Sequence, residues 1–131
     1  MPLARARFLI VDDDGELAGL FARILRLDGH DVRTATTAAI ALGDIATWRP
    51  DAILLDYRMP LINGLGLLYR LRADEASART PVALITGDAV GANTIRAECE
   101  ALGATVHVKP LGTADVLAIG RALIASHSSL A

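Results

Sequence analysis

The chain has 131 residues and a net charge of −2, from 13 Lys and Arg against 15 Asp and Glu. That length fits one domain able to bury about two thirds of its unfolded surface without a structural metal or disulfide. There is no basic stripe, a single cysteine (Cys99) and no apolar run near ~18 residues, so direct nucleic-acid binding, a disulfide scaffold, a signal peptide and a membrane span are not expected; a reducing cytoplasm is.

The apolar pattern alternates five times between short β-like runs and longer stretches of helical period, the signature of βαβ units on a parallel sheet. A first strand is predicted at 7–11. The helix after it carries Leu17, Leu20, Phe21, Ile24 and Leu27, spaced to share one face, and Gly29 ends it. A second strand at 31–35 leads to a helix capped by Thr36 or Thr37 and stopped after Trp48 by Pro50. The third strand, 52–56, is followed by a helix from Asn63-Gly64 through Leu68 and Leu71 to Ala73, then a polar connection over 74–80. The fourth strand begins at Pro81, its helix spans 90–102 and Gly103 closes it; the fifth strand is 104–108 and the last helix 113–126, with a tail expected to fray. Right-handed crossovers and helices split between two faces favour strand order 2-1-3-4-5, with a switch point between strands one and three. No linker or second patterned segment is visible, so a single module with a core over about 6–126 and no effector domain is expected.

Polar groups recur where the strands run out. Phe8-Leu9-Ile10-Val11 ends in Asp12-Asp13-Asp14, Ala52-Ile53-Leu54-Leu55 in Asp56, Val82-Ala83-Leu84-Ile85 in Thr86-Gly87, and Val106-His107-Val108 in Lys109-Pro110. Open α/β sheets bind ligands at these ends. Three crowded carboxylates repel one another unless a divalent cation joins them, and Mg²⁺ is satisfied by one or two carboxylates, a carbonyl, waters and a phosphate oxygen. Asp13 and Asp56 suit direct ligation, Asp12 direct or water-mediated ligation, and the Arg58 backbone carbonyl can complete the set. Asp56 is then a candidate nucleophile toward phosphorus, with Lys109 as a point charge on phosphate and Thr86 as a hydroxyl donor. A cis Lys109-Pro110 peptide suits a turn that aims the lysine inward. Each piece has an ordinary alternative, since Asp12 to Asp14 can cap a helix and Asp56 can be a turn residue. The joint occurrence at successive strand ends favours chemistry.

On these residues the chain resembles the receiver domain of two-component response regulators, over about 6–126. Val11-Asp12-Asp13-Asp14 is similar to that family's acidic pair, Leu55-Asp56-Tyr57-Arg58-Met59-Pro60 to its phosphoacceptor loop, Asn63-Gly64 to the following turn, Thr86-Gly87 to its switch hydroxyl and small neighbour, and Lys109-Pro110 to its lysine. The resemblance implies a flavodoxin-like (βα)5 three-layer fold and a phosphorylation-dependent switch. On that resemblance a histidine kinase or histidine phosphotransfer protein is expected to donate phosphate to Asp56 with Mg²⁺, and a downstream protein to read the state. The chain is expected to catalyse its own phosphorylation and dephosphorylation and to have no metabolic activity. The alternative is a receiver-fold interaction module that works without phosphate.

Several positions depart from the family pattern or stand outside it. Val106 occupies a position where receivers commonly carry Tyr or Phe, and His107 is expected on the opposite side of that strand. Asn63 replaces a frequent Asp. Leu61-Ile62 makes the loop after Pro60 apolar, for a partner or for packing on the first helix. On the last helix Val116, Ile119, Gly120 and Leu123 face the sheet, while Leu117 and Ile124 form an apolar margin. That margin is either core packed against the fourth helix or a docking or dimer surface on the fourth-helix, fifth-strand, fifth-helix side. Cys99, Trp48 and Tyr57 read as packing residues. Arg58 and Asp88 are expected to pair across the site and shield phosphate from water.

Overall fold

The structure, a computed structural model, describes the backbone of residues 5–130 and the side chains of residues 5–126. Five strands, β1 (Arg7–Val11), β2 (Asp31–Ala35), β3 (Ala52–Asp56), β4 (Val82–Thr86) and β5 (Ala104–Val108), alternate with five helices, α1 (Gly15–Leu27), α2 (Ala38–Thr47), α3 (Gly64–Ala73), α4 (Ala89–Ala101) and α5 (Thr113–Leu130). The strands are parallel in order β2-β1-β3-β4-β5, as expected.

Side chains alternate across each strand, so each face of the sheet collects its own core. Phe8, Ile10, Leu54 and Ile85 pack under α1 and α5. Leu9, Ile53, Leu55 and Leu84 pack under α2, α3 and α4. The central strands β3 and β4 are buried along their full length, which explains their unbroken apolar sequence. Each fully buried Leu or Ile contributes about 1.5–3 kcal/mol.

The helix ends follow local chemistry. Thr37 Oγ1 accepts from Ile40 N (3.1 Å) and Asn63 Oδ1 from Gly66 N (2.9 Å), so a hydroxyl and an amide cap α2 and α3. Gly29 and Gly103, at φ 96° and 72°, take the left-handed turns after α1 and α4.

Three expectations are corrected. Leu20 and Leu27 are 52% and 82% exposed, and the buried face of α1 is Ala18, Phe21, Ala22, Ile24 and Leu25. Small alanines fill part of the inner face of α1, which sits about a quarter of a turn from the stripe of large residues. Second, the apolar margin of α5 meets α1, not α4: Ile124 is buried and Leu117 packs in the core shared with α1. Third, α5 runs to Leu130, so the tail expected to fray is helical that far. Cys99 is buried with its thiol pushed up, first by burial, as fits a packing residue. Trp48 packs in the second core beneath the guanidinium groups of Arg33 (4.8 Å) and Arg7 (5.7 Å), and Tyr57 joins the same core. Among the described residues no helix is long and apolar enough to cross a membrane.

Candidate functional site

Strand register assembles the site. β1 lies beside β3 with Val11 opposite Leu55, so Asp12, one residue beyond β1, stands next to Asp56 at the end of β3. This is the switch point of the sheet, where crossovers from neighbouring strands diverge and leave a crevice. Asp12 N donates to Ala35 O (3.0 Å), which holds the chain in place. Asp56 is 5% exposed and Asp12 3%. One carboxylate oxygen from each of Asp12, Asp13 and Asp56 lies within 4.8 Å of the other two.

The acidic triplet divides its work. Asp14 caps α1, its Oδ1 accepting from Glu16 N and Leu17 N at 3.1 Å each. The capping interpretation therefore holds for Asp14, while Asp12 and Asp13 remain at the crevice. Asp12 Oδ1 accepts from Asp14 N (2.9 Å), which fixes the carboxylate and leaves Oδ2 facing Lys109.

Lys109 follows β5 and is anchored by its backbone N–H, which donates to Thr86 O (2.8 Å); the Lys109-Pro110 peptide is cis, as expected. Its Nζ lies 3.0 Å from Asp56 Oδ1 and 3.2 Å from Asp12 Oδ2. Thr86 closes β4 and is buried; its Oγ1 accepts from Asp88 N (3.2 Å), leaving the hydroxyl hydrogen to donate elsewhere. Asp12, Asp13, Asp56, Arg58, Thr86 and Lys109 line one open cavity of about 370 Å³, so all six expected residues meet.

Charge in this cavity is finely opposed. Burial, above all, raises the Asp56 carboxyl above the usual carboxylate range; Lys109 draws it down, and the charges of Asp12 and Asp13 raise it again. For Lys109, burial acts to lower the pKa, but Asp56 and Asp12 outweigh it and the net shift is upward, so the ammonium persists. A divalent cation fits this donor set. Three carboxylates against one ammonium leave uncompensated negative charge, and their oxygens are hard ligands of the type Mg²⁺ prefers.

The expected Arg58–Asp88 pair is not formed. Asp88 instead caps α4, its Oδ1 accepting from Val90 N (3.1 Å), and no hydrogen bond or ion pair joins it to Arg58 among the described residues. The competing helix N-terminus, with its orphan N–H groups, wins the carboxylate. Val106 is buried on the α4 side of β5, and His107 faces the other way with Nε2 2.8 Å from Thr105 Oγ1. Two features were not anticipated from sequence. Gly64 N donates to Tyr57 O (2.7 Å) and has no room for a side chain, and Leu61 adopts φ 71°. Glycine after a capping Asn was a usable sign of the first; nothing in the residue type Leu announces the second.

Known proteins place this geometry. The response regulator receiver domain model matches residues 8–119. The chain is 35% identical over 125 residues to the transcriptional regulatory protein PrrA of Mycobacterium tuberculosis, covering 95% of this chain and 52% of PrrA. It thus spans about half the length of the curated relatives it matches. Among solved structures it is similar to NtrX of Brucella abortus (TM-score 0.85, 26% identity, 96% of this chain and 29% of that one). It is also similar to the chemotaxis response regulator CheY4 of Vibrio cholerae (TM-score 0.82, 26% identity, 92% and 99%). The fold, the crevice and these likenesses agree, and the chain belongs to the receiver domain family of two-component response regulators.

Proposed function

We propose that this receiver domain is a phosphorylation-dependent switch with Asp56 as the phosphoacceptor. The observation that carries the reading is the recessed Asp56 carboxylate, joined to Lys109 at 3.0 Å and to the oxygens of Asp12 and Asp13 within 4.8 Å. An Asp56 oxygen attacks phosphorus, a P–O bond forms, and the P–N bond of a donor phosphohistidine breaks. The electron pair leaves with the imidazole nitrogen, and because the donor ring carries a proton on its other nitrogen the leaving group is neutral imidazole. Lys109 balances charge on the phosphoryl oxygens, and Thr86 donates its hydroxyl to one of them. Asp13 and Asp56 would hold Mg²⁺, with Asp12 contributing directly or through water and the Arg58 carbonyl completing the protein's share. When bound, the cation supplies charge neutralisation and orients the phosphoryl oxygens. Attack by water on phosphorus later restores the carboxylate and releases inorganic phosphate.

The phosphodonor in this reading is a histidine kinase or histidine phosphotransfer protein in the cytoplasm. A downstream protein reads the phosphorylated state, which phosphate favours through contacts it makes better in that state. The test is Mg²⁺-dependent labelling by acetyl phosphate. One acid-stable, hydroxylamine-labile phosphoryl group per chain is expected, abolished by chelation. Label that survives without a divalent cation contradicts the role given to the acidic cluster.

A further inference from the structure

At the end of the sheet opposite Asp56, beside the starts of β4 and β5, lies a second open cavity of about 460 Å³. Arg72, Arg79, Ala78, Pro81, Ala101 and Leu102 are among the described residues that line it, and no acidic side chain is. Arg72 reaches it from the last turn of α3. Three backbone carbonyls hold its guanidinium: Nε donates to Leu102 O (2.6 Å), Nη1 to Ser77 O (3.0 Å) and Nη2 to Gly103 O (3.4 Å). These bonds close the C-terminal end of α4 and occupy three of the five N–H donors of a guanidinium, so one hydrogen remains on each terminal nitrogen. Burial lowers the Arg72 pKa, a cost that an adjoining anion offsets.

Arg79 stands exposed on the turn before β4, where Thr80 N donates to Ser77 O (3.2 Å) and fixes the backbone. Among the described residues its side chain has no hydrogen-bond or ion-pair partner. The cap on α4 accounts for Arg72 but not for a second arginine on the same cavity. Two guanidinium forks without an acid match a doubly charged oxyanion, and Ala78, Pro81, Ala101 and Leu102 supply an apolar wall beside them. We propose that this cavity binds a phosphate monoester, with its dianionic head on Arg72 and Arg79 and its organic part on the apolar wall. The volume is in the range of small-ligand sites. The inference does not depend on Asp56 as phosphoacceptor.

The test is amide NMR of the full chain without divalent cation, so that the negatively charged cavity at Asp56 repels phosphate. The probes are inorganic phosphate and phenyl phosphate, with chloride at matched ionic strength as control. Both phosphates should shift the amide signals of Ala78 and Gly103 saturably, and chloride should not. Phenyl phosphate should saturate at about fivefold lower concentration or less, because its ring covers the apolar wall. Arg79→Ala, at an exposed position where the urea midpoint should not move, should weaken both phosphates roughly tenfold, the scale of one charge-assisted contact. Asp56→Asn should bind them as wild type does. Equal shifts in wild type and Arg79→Ala overturn the site, as do shifts that chloride reproduces or shifts that Asp56→Asn removes. Equal affinity for the two phosphates overturns the monoester and leaves the free ion as the ligand.

Discussion

A Cβ built on Gly64 would lie 2.5 Å from the carbonyl oxygen of Asp56 and 2.9 Å from Tyr57 Cα. The start of α3 is thus seated directly on the backbone at the end of β3, where Asp56 stands, and only glycine permits the approach. Gly64→Ala must push α3 off β3, and the displaced backbone is that of Asp56 itself. The expected result is a loss of about 1–3 kcal/mol in urea denaturation together with slower labelling at Asp56. Asn63→Ala is the control: it removes the α3 cap at a cost of about 1 kcal/mol but should leave the labelling rate close to wild type.

Mg²⁺ should stabilise the fold through the acidic cluster. At a concentration about 100 times the dissociation constant, the gain for a single site is about 2.7 kcal/mol. Thermal unfolding with and without Mg²⁺ should show this shift in wild type and little of it in Asp13→Ala. An undiminished shift in Asp13→Ala would place the cation elsewhere.

Lys109 offsets the charge on two buried carboxylates. Lys109→Ala should raise the Asp56 pKa further, since the group that lowers it is gone. For a carboxyl whose folded pKa lies above its unfolded value, stability is fully present below the unfolded pKa and falls as pH rises through the folded one. Lys109→Ala should therefore be destabilised by about 1–3 kcal/mol at neutral pH, with the deficit shrinking toward pH ~4. Denaturation at both pH values checks the sign.

Expectations from sequence succeeded and failed for identifiable reasons. Asp12, Asp56, Thr86 and Lys109 were legible because strand ends can be read from the apolar runs, and parallel register then brings those ends together. The inner face of α1 was misread because large residues were weighed above alanines, although Ala18 and Ala22 are fully buried and Leu20 and Leu27 are not. The capping residue of the acidic triplet was undecidable, since the three carboxylates differ only in how the chain turns after β1. The Arg58–Asp88 pairing weighed opposite charges and overlooked the N–H groups of α4, to which Asp88 is bound. Asp88→Ala should accordingly cost about 1 kcal/mol of stability through the lost cap, and Arg58→Ala close to none.

His30 sits at the far end of the sheet from the cavity and is 5% exposed. Its Nδ1 accepts from Ala6 N (3.1 Å), so protonation there requires breaking that bond, and burial, the foremost cause, lowers the pKa. Below about pH 6.5 the unfolded chain gains a proton that the folded chain resists, and stability falls with pH. His107, also lowered first by burial, adds to the same trend. Stability of wild type should drop between pH 7 and 5, and a His30→Gln/His107→Gln variant should show a flatter profile over that range.

Thr86→Ala separates chemistry from signalling. In the proposed mechanism the hydroxyl donates to phosphate but neither attacks nor ligates, so the variant should still be labelled at Asp56. The difference in partner affinity between phosphorylated and unphosphorylated forms should shrink. Partner affinity measured on both forms checks this, and an unchanged difference would remove Thr86 from the switch.

Asp56 is the residue on which the whole account turns, and one mass measurement addresses it. Wild type and Asp56→Asn are incubated with acetyl phosphate and Mg²⁺, and intact mass is followed by site mapping after borohydride reduction. Wild type should gain one phosphoryl group, mapped to Asp56, and Asp56→Asn should gain none. A phosphoryl group on Asp56→Asn, or one mapped to Asp12 or Asp13 in wild type, contradicts the assignment.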